Sequence, residues 1–301
     1  MVSGRVERAP AKINLTLRVL ARRADGYHEI ESLVVFAGIA DRLSFTPARS
    51  LALAVSGPMA GRCGDVAENL VLKAAHALSA RVAGLELGRF HLSKRVPVAA
   101  GLGGGSSDAA AALRLLARAN RVATDDPRLL AAAQATGADV PVCLDPQARV
   151  MRGIGDVLSQ RIALPRLAAL LVNPGVPVAT KDVFGTLDLR TPPAEMAGVR
   201  PSPGAHPQRA AWGNDPASLI EELASLGNDN DLEEPAIRLQ PVIAEVLRAL
   251  AALPGCRLAR MSGSGATCFG LFETLRAARL AARSLRAERS AWWIRATVLG
   301  G

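Results

Sequence analysis

Residues 97–116 read PVAAGLGGGSSDAAAALRLL, and the rest of the chain is interpreted from this stretch. Residues 101–107 hold four glycines and two serines. Residues 109–118 follow as strong helix-forming sequence. Ser106, Ser107 or Asp108 is placed to cap the first turn. Glycine admits positive φ and lets a ligand approach the backbone without a side chain between them. A glycine loop feeding a helix N-terminus presents free N–H groups and the positive end of the helix dipole to an anion, usually phosphate. A flexible linker would not run directly into a capped amphipathic helix.

Three better-known phosphate loops do not fit. A P-loop requires Lys after its last glycine, and Ser106 follows Gly105. A GxGxxG fingerprint begun at Gly101 meets Ser106 where its third glycine belongs. The VAIK, HRD and DFG motifs of protein kinases are missing.

Length and composition narrow the class. With 301 residues, one large or two ordinary domains are expected. Half the residues are hydrophobic but only 3% are aromatic, so the core is aliphatic and alanine-rich. The formal net charge of +9 is carried mostly by dispersed Arg, with no lysine-rich tail, which argues against nucleic acid and suits an anionic small molecule. Cys63, Cys143, Cys256 and Cys268 are far apart and form no CxxC, so neither a zinc site nor a disulfide framework is expected. The opening MVSGRVERAPAKINL lacks an apolar stretch of signal-peptide length, and no run approaches a membrane span. A cytoplasmic protein without a membrane partner is expected.

Residues 5–10 and 13–20 read as strands interrupted at Pro10, Ala11 and Lys12. Ile13, Leu15, Leu17 and Val19 alternate with Asn14, Thr16 and Arg18, a half-buried pattern that puts Lys12 and Asn14 on the face opposite the apolar one. Asp25 and Gly26 mark a turn, with Tyr27, the only tyrosine, and His28 beside it. Residues 30–36, 42–45, 51–55 and 85–95 are strand-like. Residues 68–82 have helical periodicity. Asp125, Asp126 and Pro127 open a helix that Gly137 closes. Asp139 follows that stop as a turn residue or a reactive carboxylate. Later come a buried strand at 168–175, a short helix at 178–187 carrying Phe184, and an exposed proline-rich loop at 190–217. Two helical patterns follow, NDPASLIEELASL and EEPAIRLQPVIAEVLRALAAL. The order strand 256–261, strand 268–272, helix 273–287 and strand 292–298 completes a ferredoxin-like arrangement.

PxxxGLGGGSS followed by an alanine-rich helix resembles the second motif of the GHMP kinases, the superfamily of galactokinase, homoserine kinase, mevalonate kinase and phosphomevalonate kinase. APAKINLTLRVLARRADGYHEIES, residues 9–32, resembles the opening motif of one branch. That branch acts on a cytidine diphosphate derivative of methylerythritol in non-mevalonate isoprenoid synthesis. Other GHMP kinases share PxKxNL but not DGYH. GADVP, the NDLE at residues 230–233 and MSGSGATCFGLF extend the resemblance over nearly the whole chain. Asp108 stands where the branch also carries Asn, and an acidic residue there would either aid Mg²⁺ or cap the helix.

The resemblance implies an α+β, two-domain GHMP kinase fold. Residues 1–160 would form an N-terminal domain like ribosomal protein S5 domain 2, and residues 161–301 a ferredoxin-like C-terminal domain. It implies ATP and Mg²⁺ as cofactors, with Pro97, Val98, Ala99, Ala100, Gly101, Leu102, Gly103, Gly104, Gly105, Ser106 and Ser107 cradling the phosphates. Ser106 or Ser107 would reach the metal, while Asn69 and Lys94 line the nucleotide site. Asp139 would be the base and Lys12 its charge partner. Asn14 would line the acceptor pocket, Tyr27 and Phe184 would sandwich the cytosine, and His28 would bond its edge. The competing readings are another GHMP small-molecule kinase, of homoserine or mevalonate type, and a non-catalytic nucleotide-binding regulator on the same fold. The SGSGAT loop of the third motif is expected to approach the nucleotide.

Overall fold

The computed structural model describes residues 5–187, 212–213, 215–226 and 230–300. Most of the proline-rich stretch expected as an exposed loop lies outside them. The first half contains β1 (Arg5–Asn14), β2 (Arg18–Arg22), β3 (His28–Pro47), β4 (Ala52–Ser56), α1 (Leu70–Ser79), β5 (Gly88–Ser93), α2 (Gly104–Ala119), α3 (Pro127–Thr136), α4 (Val140–Leu144), β6 (Arg149–Gly153) and β7 (Val157–Leu158). The second half contains β8 (Leu167–Asn173), α5 (Thr180–Gly185), α6 (Pro216–Ser225), α7 (Glu233–Leu239), α8 (Val242–Ala251), β9 (Cys256–Met261), β10 (Cys268–Phe272), α9 (Leu275–Glu288) and β11 (Trp293–Gly300).

β3 is the spine of the first half. Residues 30–36 and 42–45 belong to this one strand rather than to two, because the chain stays extended between the two stretches that pair with β1. β1, β2, β5 and β6 all pair with β3 antiparallel. In the second half the sheet order is β11-β8-β10-β9, the ferredoxin-like order, with α8 on β9 and β10 and α9 across β8, β10 and β11. Leu299 and Gly300 of β11 pair with Ala37 and Phe36 of β3, so a single sheet runs through both halves.

The core is aliphatic, as the composition requires. Ala109 to Ala112 of α2 are fully buried, and their small side chains let the helix lie close to β1 and β3. Leu43, Phe45, Phe90 and Leu92 complete that cluster. Ile13, Leu15 and Leu102 meet Leu171, Phe269 and Leu271 where the two halves join.

Local physics corrects three expectations. α2 starts at Gly104, before the serines, with Gly103 as a left-handed N-cap at φ 57° and no side-chain cap. The glycines supply the backbone turn themselves, while the hydroxyl of Ser107 and the carboxylate of Asp108 are used in tertiary contacts. The long pattern 233–253 is two helices, because Pro241 has no N–H to continue α7 and forces Gln240 out of helical geometry, to φ −137°. Lys12, Asn14 and Thr16 are as buried as the apolar residues they alternate with, so this strand is covered on both faces.

Gly101, at φ 73°, permits a close crossing: a Cβ there would lie 2.2 Å from the Ser262 carbonyl oxygen. Gly105 is helical, and its Cβ would meet only Leu70 Cδ1 at 3.4 Å. Thermal melts of the two Ala variants are therefore expected to diverge. Gly101→Ala should lose ~1–3 kcal/mol through overpacking, a fall of about 2–4 °C in Tm per kcal/mol. Gly105→Ala should melt at or above wild type. Equal melting temperatures would contradict the close crossing.

Candidate active site

A cleft of about 1380 Å³ runs between the halves, and the glycine loop forms part of its wall. The first backbone bond of α2 is Ser107 N–H to Gly103 O at 2.9 Å. The N–H groups of Gly104, Gly105 and Ser106 precede that bond, have no intrahelical partner and belong to cleft-lining residues. Ser106 lines the cleft. Ser107, also expected to reach the metal, does not. Its hydroxyl donates to Pro10 O at 2.6 Å and contacts Cys143 Sγ at 3.3 Å. Leu102 likewise points into the core, and its carbonyl accepts Lys12 N–H at 2.9 Å.

Lys12 follows a register shift in β1 between Pro10 and Lys12. Its ammonium lies 3.1 Å from Asp139 Oδ1 and 3.5 Å from Asn14 Oδ1. The Lys12 side chain is 5% exposed and that of Asp139 is 38% exposed, so the pair is anchored in the protein and opens towards the cleft. Asp139 occupies the N-cap position of α4, yet its carboxylate makes no capping bond. Asn14 lines the cleft as expected, but its Nδ2 donates to Ser32 Oγ at 2.7 Å. Its amide oxygen is thereby aimed at Lys12.

Lys94 lies beneath the loop. It is almost fully buried between Asp41 Oδ2 at 2.6 Å and Asp108 Oδ2 at 2.5 Å. A Cβ on Gly104 would sit 3.2 Å from its Nζ. Burial favours the neutral amine, but the two carboxylates outweigh it and raise the Lys94 pKa. Burial pushes the Asp108 carboxyl up to about 7 against the pull of Lys94. Asn69 caps α1 through Oδ1, which accepts Val71 N–H at 3.0 Å, and it also lines the cleft.

Tyr27, His28 and Phe184 gather at one end of the cleft. The sandwich expected of Tyr27 and Phe184 is not preformed. Phe184 stacks on His28, with centroids 4.7 Å apart and planes 27° apart, while Tyr27 is 59% exposed. Burial, and then the charge of Arg22, lower the His28 pKa, which leaves a neutral imidazole able to donate and accept. Arg22, Thr180 and Lys181 also line the cleft. Sequence reasoning missed them because one Arg, Thr or Lys among many carries no motif.

The SGSGAT loop mainly buttresses the glycine loop. Ser262 Oγ donates to Gly101 O at 3.0 Å and accepts Asn14 N–H at 3.1 Å, and Thr267 N–H donates to Ala100 O at 3.2 Å. Asn230 of NDLE holds the loop from behind, with its amide bonded to Met261 O and Gly263 O, each at 2.9 Å. Only Gly263 and Ser264 of this loop reach the cleft. Gly265 abuts Met261 instead.

The family models described as "GHMP kinases N terminal domain" and "GHMP kinases C terminal" match residues 69–145 and 214–290. A 4-diphosphocytidyl-2-C-methyl-D-erythritol kinase of Methylobacterium radiotolerans is 56% identical over 294 residues, covering 97% of this chain and 98% of its own. The chain belongs to the 4-diphosphocytidyl-2-C-methyl-D-erythritol kinase branch of the GHMP kinases. A Rhodopseudomonas palustris protein of the same name is 53% identical, with 97% of this chain and 98% of its own covered. A crystal structure of a 4-(cytidine 5'-diphospho)-2C-methyl-D-erythritol kinase superposes with a TM-score of 0.74 at 38% identity, covering 99% of this chain and 100% of that one. A homoserine kinase from Cytophaga hutchinsonii, at 20% identity and a TM-score of 0.68 over 98% of this chain and 94% of its own, shares the GHMP kinase fold.

Proposed function

We propose that this GHMP kinase transfers the γ-phosphoryl group of ATP to a hydroxyl of 4-diphosphocytidyl-2-C-methyl-D-erythritol, giving the 2-phosphate, in isoprenoid precursor synthesis in the cytoplasm. One observation carries the reading: the Lys12–Asp139 pair shares a cleft with the N–H groups of α2 and with Tyr27, His28 and Phe184. Asp139 accepts the proton of the attacking hydroxyl. The acceptor oxygen bonds to the γ-phosphorus as the bond to the bridging oxygen breaks and ADP leaves. Lys12, 3.1 Å from Asp139, opposes the charge developing on the phosphoryl oxygens. The N–H groups of Gly104, Gly105 and Ser106 hold the phosphates in line, and positioning of this kind is most of what phosphoryl transfer requires.

ATP use by the family implies Mg²⁺, and the donor set fits it. The described residues contain no group of three or more His, Cys, Asp or Glu able to hold a metal, but Mg²⁺ typically takes one or two protein oxygens plus substrate phosphates and water. Of the two loop serines, Ser106 lines the cleft and Ser107 does not. When bound, Mg²⁺ supplies positive charge to the phosphate oxygens.

The test is ADP release across a panel of alcohols. The cytidine diphosphate acceptor should be consumed, and mevalonate or homoserine should not. Equal turnover of either simple alcohol would reject the branch-specific substrate. Tyr27→Ala should raise KM for the acceptor and leave kcat nearly unchanged, since a stacked base is worth ~1–3 kcal/mol in nucleic-acid binding. A loss of kcat at constant KM would assign Tyr27 a different role.

A further inference from the structure

Asp41 of β3 is fully buried and is not among the residues lining the cleft. Its three contacts converge on one place. Oδ1 accepts the N–H groups of Arg95 and Val96, the latter at 2.9 Å, and Oδ2 takes Lys94 Nζ at 2.6 Å. These donors come from the three consecutive residues that lead into Pro97, where the phosphate loop begins. Lys94 Nζ also donates to Asp108 on α2 and lies 3.2 Å from where a Cβ of Gly104 would be. One ammonium is thus fixed under the first turn of α2 by a carboxylate from the strand and another from the helix. Burying such a cluster is costly even when it is paired, and apolar residues of similar volume often serve a core as well or better.

We infer that Asp41 is a positioning residue for the nucleotide: through Lys94 and the backbone at Arg95 and Val96, it sets the root of the phosphate loop and holds a positive charge behind Gly104. The inference rests on the nucleotide reading of the cleft. A merely structural ion cluster would affect stability and both ligands alike. A positioning residue acts on the nucleotide, and does so through Lys94.

Calorimetric titration with MgADP and, separately, with the cytidine diphosphate acceptor distinguishes the two. The proteins needed are wild type, Asp41→Asn, Lys94→Gln and the double variant. Asn keeps an oxygen for Arg95 and Val96 but cannot pair with the ammonium. Asp41→Asn should raise the MgADP Kd about tenfold, ~1.4 kcal/mol, and leave the acceptor Kd within about twofold. The double variant should bind MgADP about as Lys94→Gln does, because residues acting through one another do not add. Unchanged MgADP affinity in Asp41→Asn, equal weakening of both ligands, or full additivity would overturn the assignment. A wild type that binds no MgADP would overturn the nucleotide reading and this assignment with it. Should the variants fail to fold, hydrogen exchange on the wild type decides. MgADP should slow exchange at the Arg95 and Val96 amides, and unchanged exchange there would overturn the inference.

Discussion

In single-turnover experiments at saturating ATP, Asp139→Asn is expected to slow phosphoryl transfer by ~10²–10⁴, the usual value of a general base. Asn preserves the shape of the side chain and removes its capacity to take a proton. The ATP Kd should hardly move, because the N–H groups of α2 are untouched. Asp139 makes no capping bond, so the change removes no support from α4. Lys12→Met should also lower the rate, since the ammonium 3.1 Å from Asp139 is the charge nearest the carboxylate. If the two residues act as one unit, the double variant will lose less than the product of the single effects. An Asp139→Asn enzyme within about threefold of wild type, well short of the general-base range, would remove Asp139 from the chemistry.

Gly104→Val is expected to weaken ATP binding about hundredfold, ~2.7 kcal/mol, while circular dichroism stays native. The position is helical, so no left-handed strain arises. The nearest atoms to a Cβ would be the tip of Lys94 at 3.2 Å, Val96 Cγ1 at 3.4 Å and Pro97 O at 3.8 Å. The added methyls crowd the Lys94 ammonium and Val96 at the root of the loop, which displaces the N–H groups that would hold phosphate. Unaltered ATP affinity in calorimetry would show that the loop carries no nucleotide.

Both expectations rest on features visible in sequence, because the glycine loop and the residues after it are local. A run such as GLGGGSSDAAAA states its turn, its helix and its anion site within a few residues. The ferredoxin-like order of the second half was legible for the same reason, element by element. Long-range contacts were not legible. Ser107 had the right chemistry for a metal, but Pro10 and Cys143, distant in sequence, claim its hydroxyl. Asp108 read as a cap, and Lys94 takes it into a buried pair instead. Asp41 carried no signal at all, since one Asp inside a strand pattern shows nothing until the loop it supports is folded onto it. Phe184 was placed at the cytosine end, but its stacking on His28 depends on how α5 meets β3. Arg22, Thr180 and Lys181 come together only once the halves enclose the cleft.

The central claim is that this cleft joins the γ-phosphoryl group of ATP to a hydroxyl of the cytidine diphosphate acceptor. Phosphorus NMR of the wild-type reaction with MgATP and that acceptor tests it most directly. The account predicts a new phosphomonoester resonance that grows in step with ADP, with the acceptor's own diphosphate resonances retained. ADP accompanied only by inorganic phosphate, or no ADP from a protein that binds ATP, would contradict it.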